Sequence, residues 1–168
     1  MGTNRVKRAD VIGHAVFELK DGREVARVCD LVVDWDQRRV TGLVVESGGI
    51  WPKRSFLPLA DVRSMGDDIV TCRDASVIKP LGSHQQVAEL VKKQEEIFGQ
   101  RILTEEGDDI GVLADVFFDV RTGQVTGYEV SGGLLEDVME GKDTLPPQVV
   151  IQPGQDAVIL RAPRLEGP

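Results

Sequence analysis

The sequence predicts an all-β fold in the main: two tandem small β-barrels joined by one α-helix. Three observations carry that expectation. The segment Asp34–Gly49, DWDQRRVTGLVVESGG, returns as Asp119–Gly133, DVRTGQVTGYEVSGG, at an offset of 85 through its V-T-G core. Val, Ile, Leu and Thr dominate short runs bounded by Gly or Asp clusters, the pattern of strands and tight turns. A single stretch of helical period lies between the two copies.

The repeat extends well beyond its V-T-G core. At the same offset Val25 matches Ile110, Val28 matches Leu113, Asp30 matches Asp115 and Asp34 matches Asp119. Past the Gly-Gly exit the second copy gains a few residues. The match then resumes at offset 88, with Leu57-Pro58 against Leu145-Pro146 and Gly66 against Gly154. Matches sustained this far mark a duplicated unit. With 168 residues in all, each half alone is marginal for a core and gains by packing on its twin.

Copy one, residues 10–80, is expected to place strands at His14–Leu19, Glu24–Trp35, Val40–Glu46, Ser55–Leu57 and Ile69–Arg73. Copy two, residues 99–163, has equivalents at Arg101–Thr104, Asp109–Asp119, Val125–Val130, Val149–Ile151 and Ala157–Leu160. Five short antiparallel strands in so small a unit favour a closed barrel, which also removes sheet edges. The connector, residues 81–98, is expected to open on a capping box formed by Ser83 and Gln86. Val87, Leu90, Val91, Gln94, Ile97 and Phe98 trace one face that docks on the barrels, and Gly99 stops the helix. Lys92, Lys93, Glu95 and Glu96 fall on the wet side.

The net charge of −8 is unevenly shared. Positions 1–80 carry 13 Lys/Arg against 12 Asp/Glu, and positions 81–168 carry 7 against 16. The acidic half argues against direct nucleic-acid contact and for basic protein partners or plain solubility. Cys29 and Cys72 lack CxxC spacing and sit in apolar runs, as reduced core residues do. The start of the chain has no signal-peptide pattern and no run long enough to span a bilayer, so a cytoplasmic location is expected.

No catalytic, metal or cofactor residues are assigned. Asp30, Asp115, Asp34 and Asp119 recur in both copies, but no acid–base partner is placed beside them; each is expected to accept backbone amides at a strand end and start a turn. Gly42, Gly127, Gly49 and Gly133 are expected to serve turns and close strand approach. Ser47 and Ser131 lack a nucleophile elbow. His14 and His84 have no second ligand at metal spacing. The acidic run Glu105–Asp109 lacks the oxygen ladder of a calcium loop.

Function is instead expected where the copies diverge. Copy one runs from its Gly-Gly into IWPKRSFLP, which sets Trp51 beside Lys53 and Arg54, with Phe56 two residues on; Trp beside Arg is favoured at binding hot spots. Copy two runs into LLEDVMEGK, where Leu135, Val138 and Met139 recur with helical spacing. For each exit the structural alternative is packing within the chain.

The order and duplication of these motifs resemble the PRC-barrel family, whose members include the photosynthetic reaction-centre H subunit and the C-terminal domain of a ribosome-maturation factor. The carriers are Gly13–Asp30 and Gly99–Asp115, each followed by D-x-x-x-G/R-x-V-T-G. The resemblance implies a six-element barrel used for docking onto other macromolecules and no shared activity. It leads to a bacterial-type, non-enzymatic adaptor or assembly module for a protein or ribonucleoprotein partner. RNA contact through copy one is the alternative, and family analogy alone adds an accessory role in a membrane or electron-transfer complex. Monomer and homodimer are both compatible with internal pseudo-twofold symmetry.

Overall fold

The computed structural model describes residues 4–48, 50, 52–132 and 144–161. In chain order the elements of the first half are β1 (Arg5–Lys7), α1 (Arg8–Val11), β2 (Ala15–Glu18), β3 (Arg23–Asp34), β4 (Arg39–Ser47), β5 (Lys53–Pro58), β6 (Val62–Met65), β7 (Ile69–Cys72) and β8 (Lys79–Pro80). The helix α2 (Gln85–Ile97) follows, then β9 (Arg101–Thr104), β10 (Asp109–Asp119), β11 (Val125–Ser131), β12 (Thr144–Leu145), β13 (Val150–Pro153) and β14 (Val158–Arg161).

The two sheets repeat one topology. The first runs β6-β7-β2-β3-β4-β5-β8, and the second runs β12-β11-β10-β9-β14-β13 with β1 added beside β10. Strands β2 to β7 therefore correspond to β9 to β14. The strands are not all antiparallel, as the sequence suggested. β2 pairs parallel with β7, Val16 opposite Val70, and β9 pairs parallel with β14, Ile102 opposite Val158.

This order forces each sheet to curl. β5 and β6 lie towards opposite ends of the strand order, yet only Leu59–Asp61, a 3-10 turn, separates them. Three residues span roughly 10 Å at full extension, so the two ends of the sheet must meet. Among the described residues β5 and β6 share no backbone ladder, so the barrel closes by chain connection and side-chain packing instead of a complete ring of hydrogen bonds.

One apolar core crosses both copies. Leu31, Val33, Trp35 and Val40 from the first sheet pack in the same cluster as Val116, Phe118, Val125 and Tyr128 from the second. A smaller cluster, Val32, Val44, Phe56 and Val91, lies between the outer face of the first sheet and α2, with Val87 and Leu90 against it. This explains why β3 alternates at its start and is then buried on both faces from Asp30 to Val33.

The helix begins one residue later than a capping box would place it. His84 is its N-cap residue, without a side-chain cap bond. Ser83 instead closes the 3-10 turn Leu81–Ser83, its hydroxyl donating to the Pro80 carbonyl at 2.7 Å. That turn consumes the group a capping box needs.

Candidate interface and inter-barrel seam

The repeated V-T-G hairpins are the contact between the barrels. Arg39 and Gln124 form an antiparallel bridge across the seam. The Val40 amide donates to the Gly123 carbonyl at 2.7 Å, and the Val125 amide donates to the Arg38 carbonyl at 3.0 Å. Each partner is the other's equivalent at offset 85, so a local pseudo-twofold axis passes between Arg39 and Gln124. Arg38 and Gly123 both hold positive φ, 53° and 81°, which the tight turn demands. At Gly123 the absent Cβ also matters: it would collide with the Val40 carbonyl and come within 2.9 Å of Leu59.

Asp34 and Asp119 shape these hairpins. Each carboxylate accepts two amides of its own turn, from Asp36 and Gln37 in one copy and from Arg121 and Thr122 in the other. Asp30 and Asp115 do something the sequence did not suggest. They sit within β3 and β10 at bulges rather than at strand ends, and each accepts the amide of the next residue, Leu31 and Val116. Both carboxylates also face Arg8. Arg8 Nε donates to Asp30 at 2.6 Å, and Arg8 Nη1 lies 3.7 Å from Asp115, whose other oxygen accepts the Ala9 amide at 2.9 Å. The guanidinium also lies 4.1 Å from the centre of the Phe98 ring. Burial pushes the Asp115 carboxyl above its ordinary value, while the Val116 and Ala9 amides and the Arg8 charge pull it back.

Gln94 is the counterpart of Arg8 when the helical turns before Gly13 and Gly99 are superposed, and it works on the opposite barrel. Its amide oxygen accepts the Val33 amide at 3.0 Å, and its amide nitrogen donates to the Leu31 carbonyl at 2.8 Å. The buried side chain thus stands in for one peptide of a neighbouring strand. On the matching edge of β10 that place is taken by β1, with Val6 opposite Phe118. Each copy lends its N-terminal segment to the other.

Aromatic rings complete the seam. Trp35 stacks on Tyr128 with centroids 6.4 Å apart and meets Phe98 edge-on at 5.6 Å. Burial pushes the Tyr128 hydroxyl up to about 12. The cysteines are free thiols: Cys72 is buried in the core, and Cys29 lies half-buried on the outer face with its thiol donating to Glu46. Burial and that bond push Cys29 up to about 11.

Of the predicted interface residues, Lys53 and Arg54 are exposed at the start of β5, and Arg54 lies 3.6 Å from Glu95 on α2. Phe56 does not present a free surface. It is 8% exposed and packed beneath α2, because α2 supplies the apolar cover that the outer face of β3 to β5 needs. Trp51, Leu135, Val138, Met139, Gly49 and Gly133 lie outside the described residues. Gly42 and Gly127 are not turn residues. They sit within β4 and β11, where a Cβ at Gly42 would come within 2.6 Å of the Leu57 carbonyl. The seam roles of Arg8, Arg38 and Arg39 were missed by sequence reading, whereas Gln94 was expected on the docking face of the helix and lies there, with hydrogen bonds to β3 that the pattern did not suggest. The repeat register held a signal for some of them, because Arg39 and Gln124 are the same position written twice.

Two like β-barrel units joined through a common seam define a tandem β-barrel module. The PRC-barrel domain family model matches twice, over residues 4–77 and 91–166, and the chain belongs to that family. The second match takes in Gln94 and the end of α2, just as the first takes in Arg8. No curated protein matches the chain. Among the described residues no helix is long and apolar enough to cross a membrane, and no three His, Cys, Asp or Glu side chains gather as metal ligands.

Proposed function

We propose that the chain is a non-enzymatic adaptor that docks a protein or ribonucleoprotein partner, acting in the cytoplasm, where free thiols such as Cys29 and Cys72 persist. The observation that carries this reading is how its ionisable side chains are spent. Arg8, Asp30 and Asp115 lock the seam, and Glu18 ties Arg23 to the amide of Ala75. An acid–base pair for catalysis must converge on a shared open site; these converge on one another. Affinity capture from the native cell with crosslinking tests the reading. Recovery of one stoichiometric partner supports it, and turnover of a small molecule by the purified chain overturns it.

Direct RNA contact is the competing reading, and it must use copy one, where the basic pair Lys53 and Arg54 is exposed. The ion pair between Arg54 and Glu95 leaves less charge for phosphate there. A mobility shift that weakens steeply with salt would favour RNA.

A further inference from the structure

The pseudo-twofold seam is unequal on its two sides. On one side Arg38 reaches across, its Nη1 donating to the Pro147 carbonyl at 3.2 Å. On the other side the equivalent of Arg38 is Gly123, which has no side chain to send, and the equivalent of Pro147 is Leu59. What remains there is a groove of about 470 Å³, walled by Gln37, Arg39, Thr41, Leu59, Arg121 and Thr122. Arg39 and Arg121 are both exposed, and neither forms an ion pair among the described residues. Among the neighbouring acids, Asp34 and Asp119 are engaged with turn amides, and Asp36 forms no ion pair with either arginine. The positions equivalent to Arg39 and Arg121 are Gln124 and Asp36, so the cationic pair belongs to this side alone.

We propose that this groove binds an acidic peptide segment of the partner, with one carboxylate held between Arg39 and Arg121 and an apolar side chain against Leu59. The proposal rests on the adaptor reading and gives it a site. Two guanidinium groups on one rim suit a carboxylate, which each can bind through paired N–H groups. A peptide fits better than RNA for two reasons. The chain carries a net charge of −8, which repels a long polyanion but costs a short peptide little. The groove lining also includes Leu59, which offers nothing to a phosphate backbone.

The test uses the full chain labelled with nitrogen-15 and a blocked hexapeptide of alternating glutamate and leucine as probe. A lysine–leucine hexapeptide and a hexauridylate serve as controls. Amide shifts confined to the groove residues, with affinity falling about tenfold in R39Q and again in R121Q, are expected for the loss of one charge-assisted contact each. R39Q copies the residue already tolerated at Gln124, and unchanged thermal unfolding checks that both variants stay folded. Absence of shifts at millimolar peptide, shifts elsewhere, or preferential binding of the hexauridylate overturns the proposal. Cell capture separates the two readings. A partner captured equally by wild type and R39Q/R121Q sinks the groove and leaves the adaptor intact; failure of wild type to capture anything sinks the adaptor, while the peptide titration still decides the groove.

Discussion

Arg39 and Gln124 occupy the same place in the two copies of the repeat, and they pair with each other across the seam. A duplicated hairpin that meets its own image is a dimer contact made within one chain. Duplication supplied both faces at once, as an isologous interface requires.

The turn residues of that contact give the first prediction. Gly123→Ala must hold φ near 81° with a Cβ pressed on the Val40 carbonyl and Leu59. It should cost about 2 kcal/mol or more in urea unfolding, since strain of this kind runs ~1–3 kcal/mol. Arg38→Gly, the mirror change, relieves positive φ while losing the bond to Pro147, and should stay within about 1 kcal/mol of wild type. Equal losses from the two variants would contradict the asymmetry.

The bridge from Arg8 to Asp30 and Asp115 gives the second. Arg8→Met leaves two largely buried carboxylates without their cation and should cost about 3 kcal/mol or more. Adding Asp30→Asn should return part of that loss, because a neutral amide needs no counter-charge. A double-mutant cycle with no coupling would show that the bridge is incidental.

What the sequence made legible divides along physical lines. The duplication, the strand runs and the connector helix announce themselves through periodicity and turn residues, which are local properties. The parallel closure of β2 on β7 depends on partners more than fifty positions apart, and no local pattern encodes it. Asp30 illustrates the boundary: its repetition was visible, but its role rests on Arg8, twenty-two residues earlier, which lies outside the span 10–80 expected for copy one. Phe56 shows the reverse case. An aromatic beside a basic pair looks like a docking surface until α2 is seen to cover it.

That cover separates the residues of the β5 strand experimentally. Phe56→Ala empties the cluster beneath α2 and should lose about 3–5 kcal/mol. Lys53→Ala and Arg54→Ala should each change stability by under about 1 kcal/mol, since both are exposed and the Arg54–Glu95 pair is solvated. Chemical denaturation of the three variants distinguishes packing from surface.

Gln94 yields a prediction readable at one amide. Its side chain satisfies the Val33 N–H and the Leu31 carbonyl inside the core. Gln94→Leu keeps most of the volume and leaves both groups unpaired, costing about 2–3 kcal/mol. Hydrogen exchange at Val33 should accelerate far more than at Leu43, whose strand pairing is untouched. Uniform acceleration across the sheet would mean that the helix merely shields β3.

The single tyrosine allows the seam to be read by pH. Tyr128 is buried in the shared core, and burial lifts its hydroxyl from about 10 to about 12. Because the folded value lies above the unfolded one, the folded state holds this proton more tightly. The associated stability is complete below pH 10 and drains away as pH rises towards 12, by about 3 kcal/mol at ~1.4 kcal/mol per unit. Phenolate absorbance of the folded chain should therefore appear near pH 12 and not near pH 10, with far-ultraviolet circular dichroism reporting whether the chain is still folded. Tyr128→Phe removes the titrating group and should flatten the decline across pH 10–12. A phenolate signal near pH 10 in a chain that is still folded would place Tyr128 in water and refute the sealed seam.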